Sequence, residues 1–441
     1  MRYLPHTDES RKDMLNAIGA KHIDELYTHV PSETLMSEPL SSLPSHMGEM
    51  QVESHIKALA EKNTPTSKLP SFLGGGCYHH HIPASVDHLI QRGEFLTTYT
   101  PYQPEVSQGT LTYVYEFQNY IARLTGMDIA NASMYDGATA VTEAALMAKR
   151  LTKRSNVIVY PCVHPDYIDV LKSYSTHSNG TVELGTEPDE NTACVIIQSP
   201  NYYGLVFDLK ELREKCDAVG AKLVVAVTEI VSLGLLPAPE VADIVAGEAQ
   251  SIGVPMSYGG PHLGFFACKK QYMRQMPGRL CGKTVDADGK EGFVLTLNTR
   301  EQHIRRDKAT SNICTNQGLC ALAFSIHLSL LGETGFKTLA QLNHTQACKL
   351  ADALESIDGV TLKTESFFNE VTASFPISTE LLKDELSKHS IIGGIPVGKT
   401  LHSMVFCATE LTTDEDIAKL KAAIETILSE HSTNGGLSHA V

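Results

Sequence analysis

Short apolar runs alternate with helix-length amphipathic segments from about residue 110 to residue 330. The β-branched runs at 157–160, 193–197, 223–227 and 263–267 predict strands, and the segments 113–125 and 139–150 predict helices. Such alternation is typical of βαβ units. The sequence therefore predicts a large α/β domain with a mostly parallel sheet, which we bound at residues 66–330.

The pattern changes on either side of that region. After residue 330, predicted strands (359–363, 370–375, 404–408) interleave with predicted helices (378–388, 412–430), which indicates a smaller α+β domain over residues 331–441. Thr412 and Glu415 have the spacing of a capping box for the last helix. Residues 1–65 predict a helical extension, and periodicity does not decide whether it packs on its own domain or serves as a dimerisation arm.

Composition excludes several classes of protein. The 441 residues include 36 Lys+Arg against 51 Asp+Glu, a formal charge of −15. This balance disfavours binding to nucleic acid or to an anionic membrane surface. The chain shows neither an apolar signal core near residue 1 nor a membrane-length apolar run, and its ten cysteines form no CxxC pair. We expect a cytoplasmic protein.

Three glycines and three histidines lie close together in the segment 74–81. The glycines allow the backbone to approach a neighbour closely. Adjacent histidine side chains diverge, so one ion would not easily bind all three. The sequence therefore favours a structural loop with one or two of these histidines near a cleft, and no metal site is predicted.

Two loops carry dense polar chemistry. The first, at 99–109, combines Tyr99, Tyr102 and Gln103 with two stiffening prolines, which favours a loop presented to a cleft. The second, at 298–314, contains several arginines and is either a solvated face or a loop that engages anions. A third segment, 133–140, precedes a predicted helix and suits either an anion at the helix N-terminus or a simple N-cap.

Five segments in this order resemble the P-protein family of the glycine cleavage system, glycine dehydrogenase (decarboxylating): 73–83, 99–105, 135–140, 258–262 and 305–315. The resemblance covers nearly the whole chain and is to the N-terminal, or α, subunit of the split form. It implies a pyridoxal-phosphate (PLP) enzyme architecture of fold type I, with sites at a subunit interface. It also implies that glycine is decarboxylated, with PLP as electron sink, and that the aminomethyl group passes to the lipoyl arm of H-protein.

The chain departs from the family where the cofactor would be attached. A PLP enzyme needs a lysine for its imine, and the matching position here is Gln250. Residues 223–268 contain no Lys or Arg, and the strand end at 226–229 has no Asp to meet the cofactor ring. The resemblance therefore implies that this subunit is catalytically inactive on its own. Its β partner, in an α2β2 complex, would hold the PLP.

The resemblance also suggests which residues such a subunit contributes. Tyr99, Tyr102 and Gln103 would be lent to the partner's catalytic site. The hydroxyl and amide groups of Thr310, Ser311 and Asn312 would bind the phosphate of the partner-bound PLP. Four further residues are weaker candidates: His79, His80, His262 and Arg300.

Two alternatives stay open. In the first alternative, the chain is a self-sufficient PLP enzyme that uses Lys269 or Lys270, both of which follow a predicted strand. Otherwise it is a purely structural partner that stabilises the β subunit and docks the lipoyl protein.

Overall fold

The computed structural model describes residues 6–36, 41–96, 99–178, 180–398 and 401–434. By its internal contacts the chain divides into two compact units, Met1–Thr64 and Pro65–Val441. The predicted boundaries at 65/66 and 330/331 remain predictions, and parts of the segments that they define lie outside the described residues.

The first unit contains the helices α1 (Asp8–Ile18) and α2 (Glu49–Ala60). Thr7 caps α1, since its hydroxyl accepts the Ser10 N–H at 3.2 Å. No described residue between 6 and 64 is buried. The unit thus has helices, as predicted, but no core of its own among the residues that the structure describes.

A seven-stranded sheet forms the centre of the second unit. Its strands are β1 (Ile129–Ala130), β2 (Asn156–Val159), β3 (Val182–Leu184), β4 (Thr192–Gln198), β5 (Lys222–Val227), β6 (Ile244–Glu248) and β7 (Gly264–Cys268). Their order is β1-β7-β6-β5-β4-β2-β3. Strands β2 to β6 run parallel, and β7 is antiparallel to both of its neighbours. The predicted mostly parallel sheet is confirmed.

Both faces of this sheet are covered, because its central strands are apolar on both sides. Every residue of β4 is buried, and its side chains alternate between two cores: Val195 and Ile197 face one, Cys194 and Ile196 the other. The helices of this region are α3 (Ala84–Ile90), α4 (Gln108–Thr125), α5 (Gly137–Thr152), α6 (Pro165–Thr176) and α7 (Leu209–Val219).

A hairpin and a long helix follow the sheet. They are β8 (Leu280–Val285), β9 (Glu291–Thr296), the short α8 (Gln302–Arg305) and α9 (Gly318–Glu355), whose backbone is non-helical at Gly332. Helix α9 is long and apolar enough to cross a membrane, but half of its apolar window is buried inside the protein. This is the pattern of a core helix, and it carries little weight as a sign of a membrane.

The C-terminal region has a four-stranded antiparallel sheet in the order β10-β11-β13-β12. Its elements are β10 (Thr361–Leu362), β11 (Glu370–Ser374), α10 (Thr379–Lys388), β12 (Ile395–Val397), β13 (Ser403–Cys407) and α11 (Asp414–Asn434). The predicted capping box is wrong by one residue. Thr413 Oγ1 accepts the Asp416 N–H at 3.1 Å, and the Asp416 carboxylate accepts the Thr413 N–H at 3.0 Å.

Candidate active site

The carboxyl edge of the large sheet is formed by the ends of β4, β5 and β6 and by the N-terminus of α5. Gln198 ends β4, Thr228 follows β5, and Gln250 lies two residues beyond β6. All three side chains are buried, and Gln198 Nε2 donates to Thr228 Oγ1 at 3.2 Å. Ligands of α/β sheets bind beyond the carboxyl ends of the parallel strands. This edge is therefore where an active site of the chain's own would lie.

A carboxylate of the chain itself, Glu248, occupies the N-terminus of α5. Its Oε2 accepts the Gly137 N–H at 3.0 Å, and its Oε1 accepts the N–H groups of Gln250 and Leu263 at 3.0 and 2.8 Å. His262 Nδ1 lies 3.6 Å from Oε2. Burial raises the pKa of Glu248, and the N–H donors and His262 oppose that rise. A helix N-terminus attracts anions, and here the chain supplies the anion.

The first turn of α5 is also capped from within. Asp136 Oδ1 accepts the Thr139 N–H at 2.8 Å, and the Asp136 main-chain oxygen accepts the Thr139 hydroxyl at 3.1 Å. Of the two interpretations of the segment 133–140, the structure supports the N-cap.

Gln250 is fixed by its neighbours in the turn after β6. Its side-chain amide donates to the Val254 carbonyl, and the residue is 2% exposed. An amide forms no imine, and residues 223–268 contain no amine to replace it. With an amide, Gln250, in the turn after β6 and a carboxylate, Glu248, at the helix N-terminus, the residues present do not fit a covalently bound PLP.

The alternative lysines lie at the opposite edge of the sheet. Strand β7 begins at Gly264, which pairs with Glu248, and ends at Cys268, which pairs with Ile244. Lys269 follows that far end, and its Nζ is 4.0 Å from Asp243 Oδ1. Five residues of strand separate the two edges by roughly 13 Å. This placement disfavours a cofactor lysine at position 269 or 270.

The histidine run forms a buried polar junction. The imidazole of His80 lies between two carboxylates, with Nε2 at 2.9 Å from Glu229 Oε2 and Nδ1 at 2.9 Å from Glu410 Oε2. Burial lowers the pKa of His80, but Glu229 and Glu410 outweigh it and raise the pKa to about 10. Burial likewise raises the pKa of Glu410, which His80 brings down to about 2. His79 contributes its carbonyl, which accepts the Thr409 hydroxyl at 2.8 Å.

A second buried contact lies beside that junction. Tyr78 OH donates to Glu370 Oε2 at 3.0 Å and lies 3.4 Å from Thr228 Oγ1, while the Gly75 N–H donates to Glu370 Oε1. Burial raises the pKa of Glu370 to about 7 against these donors. The glycine–histidine segment therefore links the large sheet to the C-terminal sheet, which is the structural loop that the sequence predicted.

The first predicted site loop is exposed. Tyr99 is 84% exposed and Tyr102 53% exposed, and Gln103 is exposed beside them. The Tyr102 ring meets His303 edge-on at 5.6 Å between ring centroids, and its hydroxyl lies 3.4 Å from Arg279 Nη2. Tyr99 and Gln103 are thus exposed while Tyr102 contacts two neighbours, and the service of this loop to a partner's site stays a prediction.

The second predicted site segment is only partly exposed. Thr310 donates its N–H to the Arg300 carbonyl at 3.0 Å, and Asn312 is exposed. Burial raises the pKa of the Glu143 carboxyl, and the nearby Ser311 opposes that rise. Arg300 donates to the main-chain oxygens of Gly278, at 3.0 Å, and Met276, so it serves the fold locally. The predicted roles toward a partner subunit remain predictions for all six site residues: Tyr99, Tyr102, Gln103, Thr310, Ser311 and Asn312.

Arg279, which sequence reasoning missed, joins the two loops. Besides Tyr102, its guanidinium reaches the Cys314 carbonyl at 2.8 Å and the Thr315 hydroxyl at 2.9 Å. Arg279 and Glu301 line a cleft of about 470 Å³ with Tyr99, Tyr102, His303 and Cys314. The sequence signal was weak, since Arg279 is a lone charge directly before a strand. Two loops that are distant in sequence therefore meet at the buried guanidinium of Arg279.

Residues 1–424 match the model of the family described as glycine cleavage system P-protein. The probable glycine dehydrogenase (decarboxylating) subunit 1 of Maricaulis maris is 50% identical, over 97% of this chain and 100% of the relative. The protein of the same name from Azorhizobium caulinodans is also 50% identical, with the same coverage.

Solved structures agree. A glycine decarboxylase (P-protein) of the glycine cleavage system, in inhibitor-bound form, is 42% identical with a TM-score of 0.88, over 97% of this chain and 100% of that one. The Lactobacillus brevis glutamate decarboxylase shares the fold at 13% identity and a TM-score of 0.65, over 93% of this chain and 98% of that one. The predicted PLP-dependent fold type I is confirmed. The chain belongs to the P-protein family of the glycine cleavage system.

Proposed function

We propose that this chain is the non-lysine-bearing subunit of a two-subunit glycine dehydrogenase (decarboxylating). The observation that carries the proposal is the pair Gln250 and Glu248, an amide and a carboxylate where a covalently bound PLP needs an amine and a phosphate site. The partner subunit then holds PLP, which supplies an electron sink for the decarboxylation of glycine. The aminomethyl group goes to the lipoyl arm of H-protein.

The contribution of this chain is to complete the partner's site. Tyr99, Tyr102 and Gln103 form an exposed loop of phenol and amide groups, which supports a role beside the substrate in the facing subunit. Thr310 and Ser311 line a small cavity and Asn312 is exposed beside them, and their hydroxyl and amide groups suit the phosphate of a partner-bound PLP.

The family resemblance supports three finer points, which are part of the same proposal. The complex is α2β2, it receives the lipoylated H-protein at the shared site, and it works in the cytoplasm.

The experiment is glycine–CO2 exchange by the complex of this chain with its β subunit. We expect Tyr102→Phe to lower kcat/KM about tenfold, since one hydrogen bond to a reacting substrate is worth about 1.4 kcal/mol. We expect Thr310→Ala to raise the PLP concentration needed for half-maximal activity. Tyr120→Phe and Thr426→Ala are the matched controls, because their hydroxyls bond Ser329 and the Ala422 carbonyl away from both loops.

The structural-partner alternative gives a different result. In that case Tyr102→Phe and Thr310→Ala leave the kinetics of the assembled complex unchanged and alter only the amount of complex formed. Unchanged kinetics for both variants would remove the support for a shared active site.

A further inference from the structure

Arg279 is a buried cation at the point where the loops 99–109 and 298–314 meet. It is 5% exposed and lies directly before the hairpin strand β8. Its own carbonyl accepts the Ala132 N–H at 2.9 Å, which ties its backbone to the segment that follows β1. The guanidinium is therefore held from the core side and extends outward, toward the cleft.

The guanidinium contacts three segments that are distant in sequence. Nη1 donates to Thr315 Oγ1 at 2.9 Å, and Nη2 donates to the Cys314 carbonyl at 2.8 Å and lies 3.4 Å from Tyr102 OH. Nε lies 3.4 Å from Glu301 Oε2. The guanidinium carbon is also 5.7 Å from the centre of the Tyr102 ring, within the range of a cation–π contact.

With a further contact from Nη1 to Asn316 Oδ1 at 3.4 Å, both Nη groups of Arg279 are used on the protein itself, and Nε faces its counterion Glu301. A planar guanidinium has five N–H groups in a fixed fork, and here the Nη groups serve both loops at once. Little remains to bind a substrate anion. Arg279 therefore links the two loops to each other and does not form a ligand site.

The counterion of Arg279, Glu301, is also buried. The side chain of Glu301 is 9% exposed, and its Oε2 is shared with His303 Nδ1 at 3.5 Å. His303 in turn packs its ring against Tyr102. Tyr102 is therefore supported from two sides, by the guanidinium and by the imidazole, and both supports meet at Glu301.

We propose that Arg279 is a positioning residue that fixes the Tyr102 phenol relative to residues 310–316, and so sets the geometry that this chain presents to the partner's substrate. The proposal rests on the proposed function. Arg279 itself touches neither substrate nor cofactor, and acts through Tyr102 and the segment 314–315.

The test is a double-mutant cycle on the assembled complex. Arg279→Lys keeps the charge beside Glu301 but loses the fork. We expect it to lower kcat/KM for glycine about tenfold, through kcat more than KM, because a mispositioned group costs orientation more than binding. In a Tyr102→Phe background the same change should cost less than about threefold. Arg274→Lys, on the exposed side chain five residues earlier, is the control and should change nothing.

The outcomes separate the two levels of the proposal. If Tyr102→Phe alone leaves exchange unchanged, the part of the proposed function that places Tyr102 at the partner's substrate fails. If Tyr102→Phe lowers exchange but Arg279→Lys has no effect, or an effect that is the same in both backgrounds, only the positioning role is overturned. If Arg279→Lys does not fold, Thr315→Val replaces it. That change removes the hydroxyl acceptor of Nη1, and we expect a smaller loss that again depends on Tyr102; independence from Tyr102 would overturn the positioning role.

Discussion

Single buried side chains account for much of what is unusual in this chain. Among the described residues, Glu370 has hydrogen bonds from the Gly75 N–H and the Tyr78 hydroxyl and no ion pair. Burial raises its pKa to about 7 from an ordinary value of 4.5. The folded protein therefore holds a proton on Glu370 that the unfolded chain has lost. By linkage, this residue costs little stability below pH 4.5 and progressively more as the pH rises to 7.

Glu370→Gln removes that pH dependence, because the amide resembles the neutral acid. Relative to wild type, the variant should gain about 2 kcal/mol between pH 5 and pH 8. Urea midpoints at the two pH values measure the change, and Glu365→Gln, on an exposed side chain, is the control. An identical difference from wild type at both pH values would show that Glu370 titrates normally.

At the scale of elements, a carboxylate of the chain itself occupies the anion-binding N-terminus of helix α5. The N-terminus of the helix meets Glu248 at the end of β6, so strand and helix are joined by a charge-assisted hydrogen bond. Gly137 is required there, since a Cβ would lie 2.0 Å from the Tyr167 hydroxyl oxygen and 3.0 Å from the Gly247 carbonyl carbon.

Glu248→Gln tests how much the contact between Glu248 and the N-terminus of α5 stabilises the protein. The amide keeps one acceptor but directs an NH2 group at main-chain donors, so we expect a loss of about 2 kcal/mol in the free energy of unfolding. Chemical denaturation of the full chain measures it, and Glu183→Gln, on an exposed side chain of β3, serves as the control. A stability equal to wild type would mean that the α5 N-terminus does not need the carboxylate.

Most of the elements could be predicted from the sequence, for reasons visible in particular segments. Strands β4 and β5 were found because their residues are apolar and β-branched on both faces. Strand β6 was missed, since Gly247 and Glu248 contradict strand preference and only the fold explains them. The hairpin β8–β9 was missed although an Asp-Gly turn, Asp288–Gly289, marks it.

The site could be predicted only in part. The polarity of residues 99–103 and 310–312 marked them as loops of interest, and both lie beside one cleft. Arg279 and Glu301 could not be found in the same way, because their importance comes from three-dimensional proximity and not from a local pattern. His80 was rated a weak candidate, and the structure gives it a structural place between Glu229 and Glu410.

At the scale of the molecule, that His80 junction connects the end of the large sheet with the segment after β13. Glu410 also accepts the Asn343 side-chain N–H at 2.9 Å and the His81 main-chain N–H at 2.7 Å, so helix α9 joins the same carboxylate. One imidazolium thus holds three parts of the second unit together.

His80→Gln should cost about 3 kcal/mol, because it leaves the Glu229 carboxylate buried without its cation. In the folded protein the pKa of His80 is raised to about 10 from 6.5. This stabilisation is therefore fully present below pH 6.5 and is lost as the pH rises through 10. Thermal unfolding of wild type and variant at pH 7 measures the difference, with His81→Gln, an exposed side chain, as the control. A melting temperature equal to that of the control would contradict the junction.

The most direct test of whether this subunit binds PLP covalently is a PLP titration of the chain alone and of its complex with the β subunit. Borohydride reduction then traps any lysine adduct, and mass spectrometry locates it. We expect no adduct on the isolated chain, and in the complex an adduct confined to the β subunit together with glycine–CO2 exchange. A trapped adduct on a lysine of the isolated chain, at Lys269, Lys270 or elsewhere, would contradict a subunit that lends its loops but holds no cofactor.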